Sequence, residues 1–241
     1  VPLAGELSEE EKARLPRAPQ PIEPYFEIMD RAVRRWRDHP RVDVMLGVDS
    51  PQRCSPALLE RAGAFCAEHQ VGNHTHLLEA KTQWAMAEGR DPRGFVAYLK
   101  DLGLAGPRSS FAHFVWGTEE DIRQAAESGV HIAHNPASNL VLGSGIQPLL
   151  KLIEAGVNVA FGSDGLNVGH MSMFEKLRLA ALLPRVTETD PDRWLTAGSA
   201  LRMATVNGAA LLGRGGEAGE IAAGQLADIV LLDGRSVALS P

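Results

Sequence analysis

The chain has 241 residues, 44% apolar and 22% charged, which is enough apolar material to bury a core without a disulfide framework or a structural metal. A net charge of −6 argues against nucleic acid or an anionic membrane surface as a partner. No run of about 18 apolar residues occurs, so a membrane-crossing helix is not expected.

The two cysteines, Cys54 and Cys66, show neither metal-type spacing nor a disulfide pattern and read as reduced thiols of a cytoplasmic protein. The start, Val1-Pro2-Leu3-Ala4-Gly5, lacks the basic-then-apolar layout of a signal peptide. The first twenty residues, rich in Glu, Lys, Arg and Pro, read as a surface segment or lid. From Pro24 to His39, Tyr25, Phe26, Ile28, Met29, Ala32, Val33 and Trp36 recur at helical spacing, and Pro40 ends the pattern. Val42 to Gly47 is a short apolar strand candidate.

The same unit then repeats as helix, short apolar strand and polar loop. Ser55 is placed to cap a helix with Pro56 at its first position, running to Gln70. Val71 to His76 follows as a strand, then helices near 81–88 and 92–101, then strand Ser110 to Val115. Thr118 and Asp121 form a capping-box pattern for a helix ending near Gly129, before strand Val130 to Ala133. A helix from Pro148 to Ala155 leads to strand Val157 to Phe161. After Asp164 the spacing predicts helices over Met171–Leu183 and Pro191–Leu212, with Asp190 as the cap of the second. Glycines then accumulate at 213, 215, 216, 219 and 224, and Ala227 to Leu232 reads as an edge strand of a second, small β domain.

Alternating short strands and helices predict a parallel α/β architecture, whose chemistry sits at the C-terminal ends of the strands. Eight histidines occur, at 39, 69, 74, 76, 113, 131, 134 and 170. His39 and His69 fall near helix ends and read as structural. His76, His113 and His134 each lie where an apolar strand gives way to a loop, and Asp164 holds the same place on the next strand. Parallel neighbours would bring all four to one rim. Imidazole and carboxylate are the ligands of a catalytic zinc site, which lowers the pKa of a bound water from 15.7 towards about 7 and so supplies hydroxide. Glu79, three residues after His76, reads equally as a general base for that water or as an ordinary first-turn acid. His74 and His76 lie two apart on a strand and can share a face, so both could ligate; alternatively His76 alone does, with His74 one layer deeper.

Taken in order, Asn73-His74-Thr75-His76-Leu77-Leu78-Glu79, Ala112-His113, His134-Asn135-Pro136-Ala137-Ser138-Asn139 and Gly162-Ser163-Asp164-Gly165 resemble the fifth- to eighth-strand motifs of the amidohydrolase superfamily. The nearest subgroup is that of cytosine, guanine and S-adenosylhomocysteine-type deaminases and triazine hydrolases. Gly143-Ser144-Gly145-Ile146, Met203-Ala204-Thr205-Val206-Asn207-Gly208-Ala209 and Gly219 to Val230 extend the resemblance.

The resemblance implies a (β/α)8 barrel of the metal-dependent hydrolase kind, represented here by strands four to eight over residues 1–212, with the beginning of a small β-sandwich domain over 213–241. It implies His76 and Asp164 as metal ligands, Glu79 as proton shuttle, and His113 as a catalytic group that polarises substrate or water. Asp164 is also implied as second proton acceptor. His134, Ser138 and Asn139 would line the substrate pocket together with His113, and His74 would stand behind the ligands. Gln52, Arg53, Trp116 and the segment from Asn167 to Met171 are further pocket candidates.

One divalent metal, zinc or alternatively iron, is implied, and no carbamylated-lysine strand suggests a second. The implied reaction is deamination of an aromatic nitrogen heterocycle by metal-bound hydroxide, with release of ammonia. Cyclic amide hydrolysis, triazine dechlorination and an inactive remnant stay as alternatives. The implied partner is a small heterocyclic substrate, with neither nucleic acid nor membrane, and homo-oligomerisation stays open. The family takes two further ligands from a His-x-His on its first barrel strand, and no second such motif precedes residue 70. The chain by itself is accordingly expected to be inactive.

Overall fold

The computed structural model describes residues 21–168, 171–233 and 235. The predicted N-terminal lid and part of the 167–171 segment, Gly169 and His170, lie outside them. Five parallel strands, β1 (Met45–Leu46), β2 (Gly72–Leu77), β3 (Ser109–His113), β4 (His131–His134) and β5 (Asn158–Phe161), form one sheet in sequence order. Consecutive parallel order is the arrangement of an arc of a (β/α)8 barrel, each crossover carrying its helix back over one face. The first strand is shorter than its apolar run predicts.

Helix α1 (Glu23–Trp36) packs Phe26 and Val33 inward, and Phe26 meets Phe65 of α2 (Pro56–His69) with ring centroids 5.5 Å apart. Ser55 caps α2 by accepting from Leu58 N–H. The short helices α3 (Lys81–Ala87) and α4 (Phe95–Asp101) follow β2. Helix α5 (Glu119–Ser128) begins with the capping box of Thr118 and Asp121 and ends at left-handed Gly129; such a cap is worth about 1 kcal/mol. Helices α6 (Pro136–Val141) and α7 (Leu149–Glu154) flank the approach to β5.

Strand register divides the sheet into two faces. Thr75, Phe111, Ile132 and Val159 are paired across β2 to β5 and are buried against the helices. On the other face His76, Ala112, Ala133 and Ala160 share one level, and His74, Ser110, His131 and Asn158 the level below. The three alanines leave open the space above them.

Beyond β5, α8 (Met173–Leu182) is capped by Ser172. The single long helix expected over Pro191–Leu212 is instead a 3-10 turn at Pro191–Arg193 followed by α9 (Ala197–Ala204) and α10 (Val206–Leu211). Asp190 caps only the turn, Thr196 opens a new helix by accepting from Ser199 N–H, and non-helical Thr205 (φ −125°, ψ −88°) separates the two helices. Local hydrogen bonding by Asp and Thr competes with helix continuation here. Helix α10 covers the β5 edge: Asn207 Nδ2 donates to Val159 O at 2.9 Å, and Asn158 Nδ2 donates to Asn207 O at 3.1 Å.

The strand expected at Ala227–Leu232 is not formed. That segment carries no assigned structure and leaves Ile229, Val230, Leu231 and Leu232 exposed, and a run without a hydrogen-bonded neighbour is no strand. Both cysteines are free, and burial pushes the Cys66 thiol up to about 11. Among the described residues no helix is long and apolar enough to cross a membrane.

Candidate metal centre

The site is built at the C-terminal ends of β2, β3 and β5. His76, His113 and Asp164 each present one donor atom, all within 4.8 Å of one another. The His76 and His113 rings stack, with centroids 5.3 Å apart and planes inclined by 19°. His113 Nε2 lies 3.8 Å from Asp164 Oδ2. A cavity of about 340 Å³ opens over the alanine floor, with these three residues in its wall. A larger hollow of about 640 Å³ lies at the opposite strand ends, near Met45, Gly72 and Arg214, away from this chemistry.

Backbone geometry turns two of the three side chains into place. His113 pairs with Leu77, and strict alternation would aim it at the helices with Phe111's neighbours. Instead His113 adopts φ +74° and Phe114 φ +50°, and Asp164 adopts φ +58°. Left-handed backbone at non-glycine residues costs on the order of 1–3 kcal/mol each and persists where the surroundings enforce it, characteristically at functional sites. Here Gln147 Nε2 donates to the His113 carbonyl, and Phe114 N–H donates to Leu77 O at 2.9 Å.

Hydrogen bonds define what each group offers. His76 Nδ1 stands 3.0 Å from Asp49 O and His113 Nδ1 2.8 Å from Asn139 Oδ1. The Asp49 carbonyl only accepts, which favours a proton on Nδ1 and a lone pair on Nε2 of His76, and the Asn139 amide oxygen, as placed, favours the same arrangement in His113. The Ser138 hydroxyl donates to Asp164 Oδ2, and Gly165 N–H donates to Asp164 Oδ1 at 2.7 Å. Burial alone would raise the Asp164 pKa. The Ser138 and Gly165 hydrogen bonds, with His113 and His76 nearby, outweigh it and hold the carboxyl below its ordinary range.

The other sequence candidates are placed as follows. Glu79, just past left-handed Leu78, is tied to Gln83, which accepts from its N–H at 2.7 Å and donates to its carboxylate at 3.3 Å. Asn139, expected to face substrate, is buried and turned to His113. His134 is buried and does not line the cavity; its ring, 6.0 Å from that of Phe161, has no hydrogen-bond partner at either nitrogen, and burial, then His113, push its pKa down to about 3. Gln52 is likewise fully buried, its amide unpartnered, and not in the cavity wall. Trp116 is exposed and not in the cavity wall, its indole donating to Ser144 O at 2.8 Å and its ring 6.0 Å from Lys81 Nζ. His74 lies one level below His76 with Nδ1 2.7 Å from Ser110 Oγ. Asp49, Gln83 and Gln147 were not legible as site residues, and for Asp49 no side-chain signal exists, because its carbonyl does the holding.

The residues fit a divalent cation. Two imidazoles and a carboxylate are a catalytic donor set that leaves a position open. His113 Nε2, buried and without a hydrogen-bond partner, faces an acceptor oxygen of Asp164, an arrangement that a cation between them would relieve.

A candidate metal centre thus sits at the strand ends of a parallel α/β scaffold, and the chain belongs to the amidohydrolase family, which it matches over residues 18–241. It is 37% identical over 222 residues to the 5-methylthioadenosine/S-adenosylhomocysteine deaminase of Syntrophobacter fumaroxidans, covering 92% of this chain and 50% of that protein. Among solved structures it resembles an adenosine deaminase from Xanthomonas campestris with bound zinc (TM-score 0.84, 32% identity, 91% of this chain and 50% of that one). It also resembles a triazine hydrolase from Arthrobacter aurescens (TM-score 0.78, 31% identity, 86% and 46%). The chain spans about half the length of the curated relatives it matches.

Proposed function

We propose that the protein carrying this chain hydrolyses the exocyclic amino group from an adenine-type nucleoside and releases ammonia. The observation that carries this reading is the convergence of His76, His113 and Asp164 with both imidazole Nε2 lone pairs free, in a chain similar to deaminases of adenine nucleosides. His76 and Asp164 would hold one divalent cation with His113 beside it, and the zinc bound by the adenosine deaminase relative favours zinc over iron. When bound, such a cation acidifies a water, making the nucleophile available near neutral pH.

Glu79 takes the proton released when water adds to the ring carbon and delivers it to the departing amine, so that water and amine become carbonyl and ammonia. Asp164 is the second proton acceptor. His113 offers a lone pair rather than a proton at Nε2, so it holds the cation or accepts from water and does not donate to substrate. Trp116, exposed but outside the cavity wall, is the apolar plane assigned to the heterocycle or its substituent.

The test is ammonia release by the full-length protein from adenosine, 5-methylthioadenosine and S-adenosylhomocysteine. Glu79→Gln is expected to lower turnover by at least about 100-fold, the lower range for a general base, with zinc content unchanged. No ammonia from any adenine nucleoside would overturn the reading, and chloride release from a chlorotriazine instead would replace it with dechlorination.

A further inference from the structure

The resemblance places Ser138 in the substrate pocket, but the structure turns it to Asp164. Its side chain is 1% exposed and does not line the cavity, and its hydroxyl donates to Asp164 Oδ2. Gly165 N–H donates to the other oxygen, Oδ1, at 2.7 Å. The outer torsion of an aspartate is broad, so one donor leaves the carboxylate free to turn, whereas a donor on each oxygen fixes its plane. Gly165 is the adjoining residue and moves with Asp164. Ser138, 26 residues away, ties the carboxylate to another element of the fold.

Ser138 is itself held. It lies in the first turn of α6, where Leu142 N–H donates to its carbonyl at 2.9 Å. The start of α6 sits close against the end of β5: Gly162 N–H donates to His134 O at 2.9 Å, and a Cβ at residue 162 would lie 2.1 Å from the Asn135 side-chain oxygen. The missing Cβ permits this approach and brings the α6 turn within a hydroxyl's reach of Asp164. We propose that Ser138 is a positioning residue and not a substrate contact: its hydroxyl sets the Asp164 carboxylate in the orientation in which it receives a cation. This inference rests on the metal-dependent reading of the site, but it concerns a hydrogen bond that exists without metal.

The experiment measures Zn²⁺ affinity of the full-length protein by competition against a chelator, and KM for an adenine nucleoside at saturating Zn²⁺. Ser138→Ala should weaken Zn²⁺ binding by about 10–100-fold, the usual effect of losing a hydrogen bond behind a metal ligand, with KM little altered. Ser138→Thr, which keeps the hydroxyl, should recover the affinity. Gly162→Ala, which forces the α6 turn off the β5 end, should weaken binding as Ser138→Ala does. Unchanged Zn²⁺ affinity in Ser138→Ala, or a raised KM with affinity intact, would overturn the proposal. Zn²⁺ bound without ammonia release would remove the deaminase reading and leave the affinity comparison to decide Ser138. Should the wild type bind no Zn²⁺, the metal-dependent reading fails and a crystal structure of Ser138→Ala decides the proposal: a turned Asp164 carboxylate supports it, an unmoved one overturns it.

Discussion

Asp49 holds His76 at two points through one main-chain oxygen: its carbonyl accepts from the His76 N–H at 3.2 Å and stands 3.0 Å from the ring Nδ1. The loop after β1 thereby fixes both the strand end and the orientation of the imidazole on it. Since a carbonyl cannot donate, the ring is held with Nε2 free, and His113 is held the same way by a different group. Two rings on adjacent strands are thus set before any cation arrives.

That arrangement predicts stabilisation by metal. Zn²⁺ binds the folded set and not a dispersed one, so at a free concentration of about 100 times Kd it should add ~2.7 kcal/mol of stability. For a chain of this size that corresponds to roughly 5–10 °C in Tm. His76→Ala or Asp164→Asn should abolish the increment, while His39→Ala, outside the set, should leave it. A thermal melt with and without Zn²⁺ checks this, and equal increments in all four proteins would refute the ligand assignment.

His134 predicts an acid-side loss of stability. Its ring is buried with a pKa pushed down to about 3, whereas in the unfolded chain it titrates near the ordinary ~6.5. Above about 6.5 the ring is neutral in both states and has no effect. As pH falls from there to about 3, the unfolded chain binds a proton that the fold refuses, so stability declines with a limiting slope of ~1.4 kcal/mol per pH unit. His134→Leu should flatten this part of the curve relative to the wild type, as measured by denaturant unfolding across pH 3–7. An identical pH slope in the two proteins would show that His134 is not held neutral.

Gly63 predicts an inverted helix rule. In the middle of an exposed helix, Gly→Ala stabilises by up to about 1 kcal/mol. In α2, however, a Cβ at residue 63 would lie 1.7 Å from the Leu102 carbonyl oxygen, which belongs to backbone and cannot swing aside. Gly63→Ala should therefore destabilise, by about 1–3 kcal/mol as for other overpacked sites, and a rise in Tm would contradict the close approach of α2 to that loop.

Much of this was legible from residue order. The repeat of strand and helix, the Ser55 cap, the Thr118–Asp121 capping box and the parallel sheet follow from periodicity and local hydrogen bonding, which act within a few residues. The helix break at Thr205 was not, because Met203-Ala204-Thr205-Val206 carries no glycine or proline to mark a stop; there Thr205 Oγ1 donates to Leu201 O while α10 docks on the β5 edge. The run Ala227–Leu232 has strand composition, yet a strand exists only when paired, and composition does not supply the pair.

At the site, sequence alone determined which residues stand at the strand ends and in what order: His76, His113, His134 and Asp164. It could not say which of them face one another. Each of His113 and His134 follows an alanine of the cavity floor, so alternation aims both away from the cavity. His134 is buried, unpartnered and absent from the cavity wall, while a left-handed turn at His113, secured by Gln147 and Asn139, brings that ring beside His76 and Asp164. A backbone dihedral held by residues distant in sequence made that choice, and no local pattern encodes it.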